Sequence, residues 1–226
     1  MQFNFASGDR EPIVREWPTT SMEQVVRAVC RECNNGWMSD LEGAAMPFVL
    51  PMMHLEPIKL DEAAQEAVAA WSVKTALMLS LTLPHRLIDK RFFSEFYESR
   101  NPPGFGVVYL SSFAGEAMSW YHVHGMDLFE TESQQQIAHG WVVSFILGNL
   151  AVQFTGNDYS AAMTLSPDNC VRMGLIQIAP LKHSTRRWPP LMQVHDSSLG
   201  AFARMMLASD DELGPSIAWV DVEPKR

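Results

Sequence analysis

DEAAQEAVAAWSVKTALMLSLTL, running from Asp61 to Leu83 and closed by Pro84, is the stretch on which the fold turns. Asp61 is placed to accept the first free N–H groups of a helix. Ala64, Val68, Trp71, Thr75 and Met78 then fall on one helical face, and Ala70, Val73, Leu77 and Leu81 on another. A helix apolar on two faces has to be covered on both, which predicts a central helix from Asp61 to about Leu83. Gln65, Glu66 and Lys74 interrupt it, so it lacks the roughly 18 uncharged residues of a membrane span, and no membrane partner is expected.

Downstream the period changes. Arg91 to Arg100 reads as a short helix ahead of the turn Asn101-Pro102-Pro103-Gly104. From Phe105 onward, Gly106–Ser112, Met118–His124, His139–Leu147 and Asn149–Thr155 are rich in β-branched and aromatic residues and are separated by glycine or polar turns. These predict an antiparallel meander, with Leu175–Ala179 as a further strand, Ser198–Ala208 as a helix and Ile217–Val222 as a closing strand. No internal repeat is present.

Upstream, Met1 to Thr20 holds no sustained period and reads as an extended arm. Val25, Val26 and Val29 make a short β-like run that delivers the chain into Cys30-Arg31-Glu32-Cys33-Asn34. Two cysteines separated by two residues at a tight turn can place both thiolates on one tetrahedral metal, but zinc needs four donors. Cys30 and Cys33 are therefore half of a zinc site. The alternative reading is a pair of reduced thiols with no metal. Asn34 or Asn35 is expected to cap a helix that starts near Gly36, carries Trp37, Leu41, Ala44, Ala45 and Phe48 toward the core, and is bent or ended by Pro47 and Pro51. The expected fold class is α+β: an N-terminal zinc-knuckle half and helices packed on an antiparallel β-sheet. The expected organisation is an arm over 1–24, the knuckle half and its helix over 25–60, and the body over 61–226, in one structural domain.

Composition narrows the function. Of 226 residues, 47% are hydrophobic and 19% charged, which is the balance of a folded domain. Fourteen Met and seven Trp favour a core of large, adaptable side chains, or an apolar contact surface. A formal charge of -9 excludes coating nucleic acid with the whole surface and leaves room for a local basic patch. Three cysteines make no disulfide framework, and no secretory signal precedes them, so a reducing cytoplasm is the expected compartment.

Cys30-Arg31-Glu32-Cys33-Asn34-Asn35-Gly36-Trp37-Met38-Ser39-Asp40-Leu41-Glu42, together with Trp71-Ser72-Val73-Lys74-Thr75, resembles an HNH-endonuclease-like group of proteins from actinobacteria and phages. The resemblance is specific over about Val25 to Thr82. It implies Cys30 and Cys33 as zinc-type ligands and Asn34 as a contact for a divalent ion (Mg²⁺ or Mn²⁺) or a phosphate. That group normally opens with an earlier cysteine pair and a Glu-His segment, whose histidine is the base that activates water. Here the first histidine is His54, beyond the knuckle, and the nearest echo is Glu16-Trp17-Pro18. The resemblance therefore implies a truncated or catalytically impaired relative, in which a later histidine such as His54 or His122 would have to substitute for the base. The alternatives are a nuclease whose first half comes from a longer chain or a second polypeptide, and a non-enzymatic module of phage or bacterial origin that docks a protein partner or a second copy of itself.

Two further constellations carry chemistry. His122 and His124, two apart on a predicted strand, point to one face and with His139 on the next strand could hold a metal; a solvated strand face is the alternative. Lys182, His183, Arg186 and Arg187 beside Trp188 form a basic cluster with an aromatic, suited to phosphates and a stacked base of DNA, or else a solvated loop. Glycine-rich phosphate loops, nucleophile elbows and His-Glu-x-x-His helices are absent from the sequence.

Overall fold

A computed structural model describes residues 3–6, 29–104, 106–130, 135–158, 164–165, 170–171, 173–181 and 184–203. The expected strand at Ile217–Val222, most of the arm, Val25 and Val26, and the second half of the helix from Ser198 lie outside the described residues.

The helical layer forms first along the chain. A single turn, α1 (Arg31–Cys33), is followed by a segment (Asn34–Met38) kinked at the non-helical Gly36, φ -99° and ψ -117°, and then by α2 (Ser39–Met53). Asp61 Oδ1 accepts the Ala64 N–H at 2.9 Å and opens α3 (Glu62–Ser80), as its sequence predicts. Asp89 caps α4 (Lys90–Ser99), which stops at Arg100 in a left-handed conformation, φ 57°. Pro47 and Pro51 neither bend α2 to a stop nor end it; the helix continues to Met53. Each proline forfeits one backbone hydrogen bond, and the burial of Ala45, Val49 and Met52 on α3 holds the helix regardless.

The sheet is built from β1 (Phe3–Ala6), β3 (Val107–Phe113), β4 (Ser119–Glu130), β5 (Gln136–Leu147), β6 (Leu150–Asn157), β7 (Ile176–Ala179) and the short β9 (Gln193–Val194). Its order is β1-β4-β5-β6-β3-β7, and β9 adds to β3 in parallel, the one such pairing among the described residues. Strands β4, β5 and β6 form the expected meander, but β3 pairs with β6 rather than β4. The four residues of the arm that are described pair with the outer edge of β4. A separate pair joins β2 (Ile58–Leu60) to β8 (Arg186–Trp188), so the segment read as a basic loop contains a strand.

Alternation along the strands divides the interior in two. On one face Val143, Phe145, Val152, Phe154, Val108 and Leu110 meet α3 and α4, and the Trp71 ring stands edge-on to Phe145 at 5.8 Å. Trp71 is buried and Met78 half-buried, as a helix apolar on two faces requires. Trp141 lies on this face against Phe92, 4.7 Å between rings, and opposite Gly156, where an added Cβ would come within 2.6 Å of the indole. The other face carries Val107, Tyr109, Phe113, Val142 and Ile146 beneath Leu165, Leu175 and a last helix, α5 (Leu199–Ala203). Across it the register lines up His122, Ser144, Gln153, Tyr109 and Gln177 on five neighbouring strands. Gln153 Nε2 donates to Ser144 Oγ at 3.1 Å and to the Phe202 carbonyl at 2.6 Å, and the Leu165 N–H donates to the Tyr109 hydroxyl at 2.7 Å. Burial pushes the Tyr109 phenol well above its ordinary range. No helix among the described residues is long and apolar enough to cross a membrane.

Candidate functional site

Cys30 is extended, φ -72° and ψ 157°, and its Sγ accepts the Cys33 N–H at 3.3 Å. The first turn, α1, is thus capped by a cysteine; the backbone then breaks at Gly36, close to where the longer helix is expected to start, and no side-chain cap bond from Asn34 or Asn35 opens α2. Cap and third residue share a face of the first turn, so the two side chains converge. The Cys33 N–H, followed by the Cys33 thiol, draws the Cys30 thiol pKa below its ordinary value. Donation to sulfur favours the thiolate, which is the form a metal binds. Cys30 is exposed and Cys33 partly so.

Asn34 is exposed, and its Nδ2 donates to Asn35 Oδ1 at 3.3 Å, which leaves the Asn34 side-chain oxygen free of that bond. Both cysteines and Asn34 therefore stand on the first turns of one helix. A closed tetrahedral zinc site would need two donors beyond this pair. Among the described residues no group of three or more His, Cys, Asp or Glu could hold a metal ion, and the third cysteine, Cys170, packs with the opposite face of the sheet.

The expected substitutes for the catalytic histidine are elsewhere. His54 caps the far end of α2, so the 15 residues of that helix, on the order of 20 Å at 1.5 Å each, lie between it and the segment that carries Asn34. His122 lies on the sheet face turned away from α2 and α3. General-base chemistry needs hydrogen-bond reach, and neither residue has it at Asn34.

The histidine triad is only half assembled. His122 and His124 do share a face, with Nδ1 atoms 3.2 Å apart and Trp120 stacked on the His122 ring. His139 sits opposite Asp127, on the other face of the sheet, and bonds its carboxylate at 2.7 Å. In an antiparallel ladder directly opposed residues share a face, so His139 cannot join the other two.

The basic cluster is dispersed as well. Trp188 is only 2% exposed and packs in the core, which removes the stacking role expected of it. Arg187 is exposed on β8 and Arg186 is partly buried, while Lys182 and His183 lie outside the described residues.

Two features escaped the sequence reading. Lys74 of α3, with a side chain 7% exposed, is ion-paired to Glu42 of α2, so the two segments that carry the HNH-like resemblance are joined directly. On the segment that follows the cysteines, Trp37 meets Tyr97 edge to face at 5.8 Å, and the Arg100 guanidinium packs against both, 4.0 and 4.1 Å from their ring centroids. A scan for lysines and arginines close in sequence misses this, because Trp37 and Arg100 come from different helices. Compared with known proteins, the chain matches no family model, no curated protein and no solved structure.

Proposed function

We propose that the chain is a nucleic-acid-binding relative of the HNH endonucleases that carries half of a zinc site and does not hydrolyse DNA as it stands. The observation that carries this reading is the first turn of the α1 helix: Cys30 as cap with its Sγ on the Cys33 N–H, and Asn34 directly after. In that arrangement Cys30 and Cys33 would hold zinc, which when bound would fix the turn and supply no reactive water, since all four positions are ligands in a structural site. The remaining two donors come from outside the described residues or from a second copy of the chain. Asn34, exposed beside them, offers its side-chain oxygen to a divalent ion such as Mg²⁺ or Mn²⁺, or its amide to a phosphate. The positions of His54 and His122 support the loss of hydrolysis, because neither can take a proton from water held at Asn34.

Zinc content measured on purified protein tests the reading. One zinc per chain, or one per two chains in a dimer, is expected, and Cys30→Ser with Cys33→Ser should abolish it. Zinc-free protein after purification and reconstitution under reducing conditions would leave the cysteines as a metal-free pair and sink the proposal.

A further inference from the structure

Helix α4 presents a stripe of two aromatic rings bounded by cations. Lys90, Phe93 and Tyr97 follow one another at steps of three and four, and the cap residue Arg100 continues the same spacing. Arg86, just before the helix, lays its guanidinium 5.9 Å from the Phe93 ring centroid, and Trp37 completes the far end against Arg100. At 100° per residue, Glu95 and Glu98 lie at least about 80° around the helix from this stripe. Asp89 is turned to the Arg91 N–H at 2.8 Å as a cap. Three cations thus share a surface strip on which, among the described residues of α4 and its caps, the one carboxylate is Asp89, engaged as the helix cap, on a chain of net charge -9.

The cations are also left available. Among the described residues the ion pairs are Lys74 with Glu42 and His139 with Asp127, so Arg86, Lys90 and Arg100 have no acidic partner there. Arg100 Nη1 and Trp37 Nε1 are enclosed and find no acceptor among those residues. Trp37 and Tyr97 meet edge to face, and the Arg100 guanidinium packs into the corner between them, which partly desolvates and orients it, a favourable arrangement for an oxyanion at the donors left in contact with water. Tyr97 is 49% exposed, so ring area is left over beside the two it touches.

We propose that the Arg86–Lys90–Phe93–Tyr97–Arg100 stripe, with Trp37, is a contact surface for single-stranded nucleic acid. The cations take backbone phosphates, and Tyr97 offers a platform to a base. Charge complementarity selects a polyanion, and the interleaved exposed ring selects one with flat bases over duplex DNA, whose bases are already stacked. The inference rests on the nucleic-acid reading above but places the contact on α4 instead of β8.

Binding of a short fluorescein-labelled oligothymidylate, followed by anisotropy at several salt concentrations, separates the possibilities. The intact chain should bind, with affinity falling as salt rises. Lys90→Gln and Arg86→Gln, both exposed positions, should each lower the logarithmic salt slope by about 0.7. Tyr97→Ala should weaken binding about tenfold, Arg100→Gln should weaken it at least as much with the melting curve as a check on folding, and Arg187→Gln should leave it unchanged. Binding that survives the α4 substitutions and is lost with Arg187→Gln would overturn this inference and leave the nucleic-acid reading standing. An intact chain that binds neither single strands nor duplex at low salt would overturn both.

Discussion

At the scale of single residues, Cys30 is expected to react before Cys170. Its sulfur is exposed and receives hydrogen bonds that favour the thiolate, whereas Cys170 is partly buried among apolar side chains. A thiol whose folded-state pKa is depressed has its anion favoured by folding: that advantage is present above the unfolded value and is lost as the pH falls through the folded one. In metal-free, reduced protein, iodoacetamide should therefore modify Cys30 before Cys170, with a rate midpoint below the ordinary thiol value of 9.0. Mass spectrometry of the modified sites across pH checks this, and faster labelling of Cys170 at neutral pH would contradict it. The cysteine pair was legible in the sequence because its spacing is local. The role of Arg100 was not, since what defines it is a ring contributed from sixty residues away.

At the scale of elements, the pair between Lys74 and Glu42 ties α3 to α2. The two ends are unequal: the Lys74 side chain is 7% exposed and that of Glu42 51%. Removing the acid leaves a cation in the interior, while replacing the lysine by an apolar chain of similar length removes the charge together with the need to neutralise it. Glu42→Ala is expected to cost about 1–3 kcal/mol, discounted because the carboxylate is half in water, and Lys74→Met less than about 1 kcal/mol. Urea unfolding midpoints of the two variants decide it, and a larger loss for Lys74→Met would contradict the argument. Elements whose signals are local were readable from sequence: Asp61 marks the start of α3, and the turn at Asn101–Gly104 follows α4. Pro47 and Pro51 misled because burial of α2 outweighs two lost hydrogen bonds. The partner of β3 was hidden for a different reason, since pairing with a strand that lies beyond both β4 and β5 in the chain depends on how whole layers assemble. The face on which His139 falls depends on the connection between β4 and β5 and on the shift in register at Leu128, which strand composition does not encode.

At the scale of the whole molecule, purified protein given Mg²⁺ or Mn²⁺ should cleave duplex DNA no faster than its Cys30→Ser, Cys33→Ser variant. A positioned base contributes about 10²–10⁴-fold to such a reaction, and His54 and His122 stand at the far end of α2 and on the far face of the sheet. Metal-dependent cleavage that vanishes with the cysteines would show that a base reaches Asn34 after all. The five polar residues aligned across the sheet bear on a different problem, the errors a long antiparallel sheet can make while it assembles. Side chains alternate, so slipping β6 by one position against β5 would carry Gln153 under α3 and turn Phe154 outward to α5. A buried glutamine stripped of Ser144 and the Phe202 carbonyl is expensive. The row therefore acts as a set of alignment marks: mispaired chains are penalised at each strand they cross, and Gln153→Leu should be tolerated by the finished fold better than by a chain still searching for it.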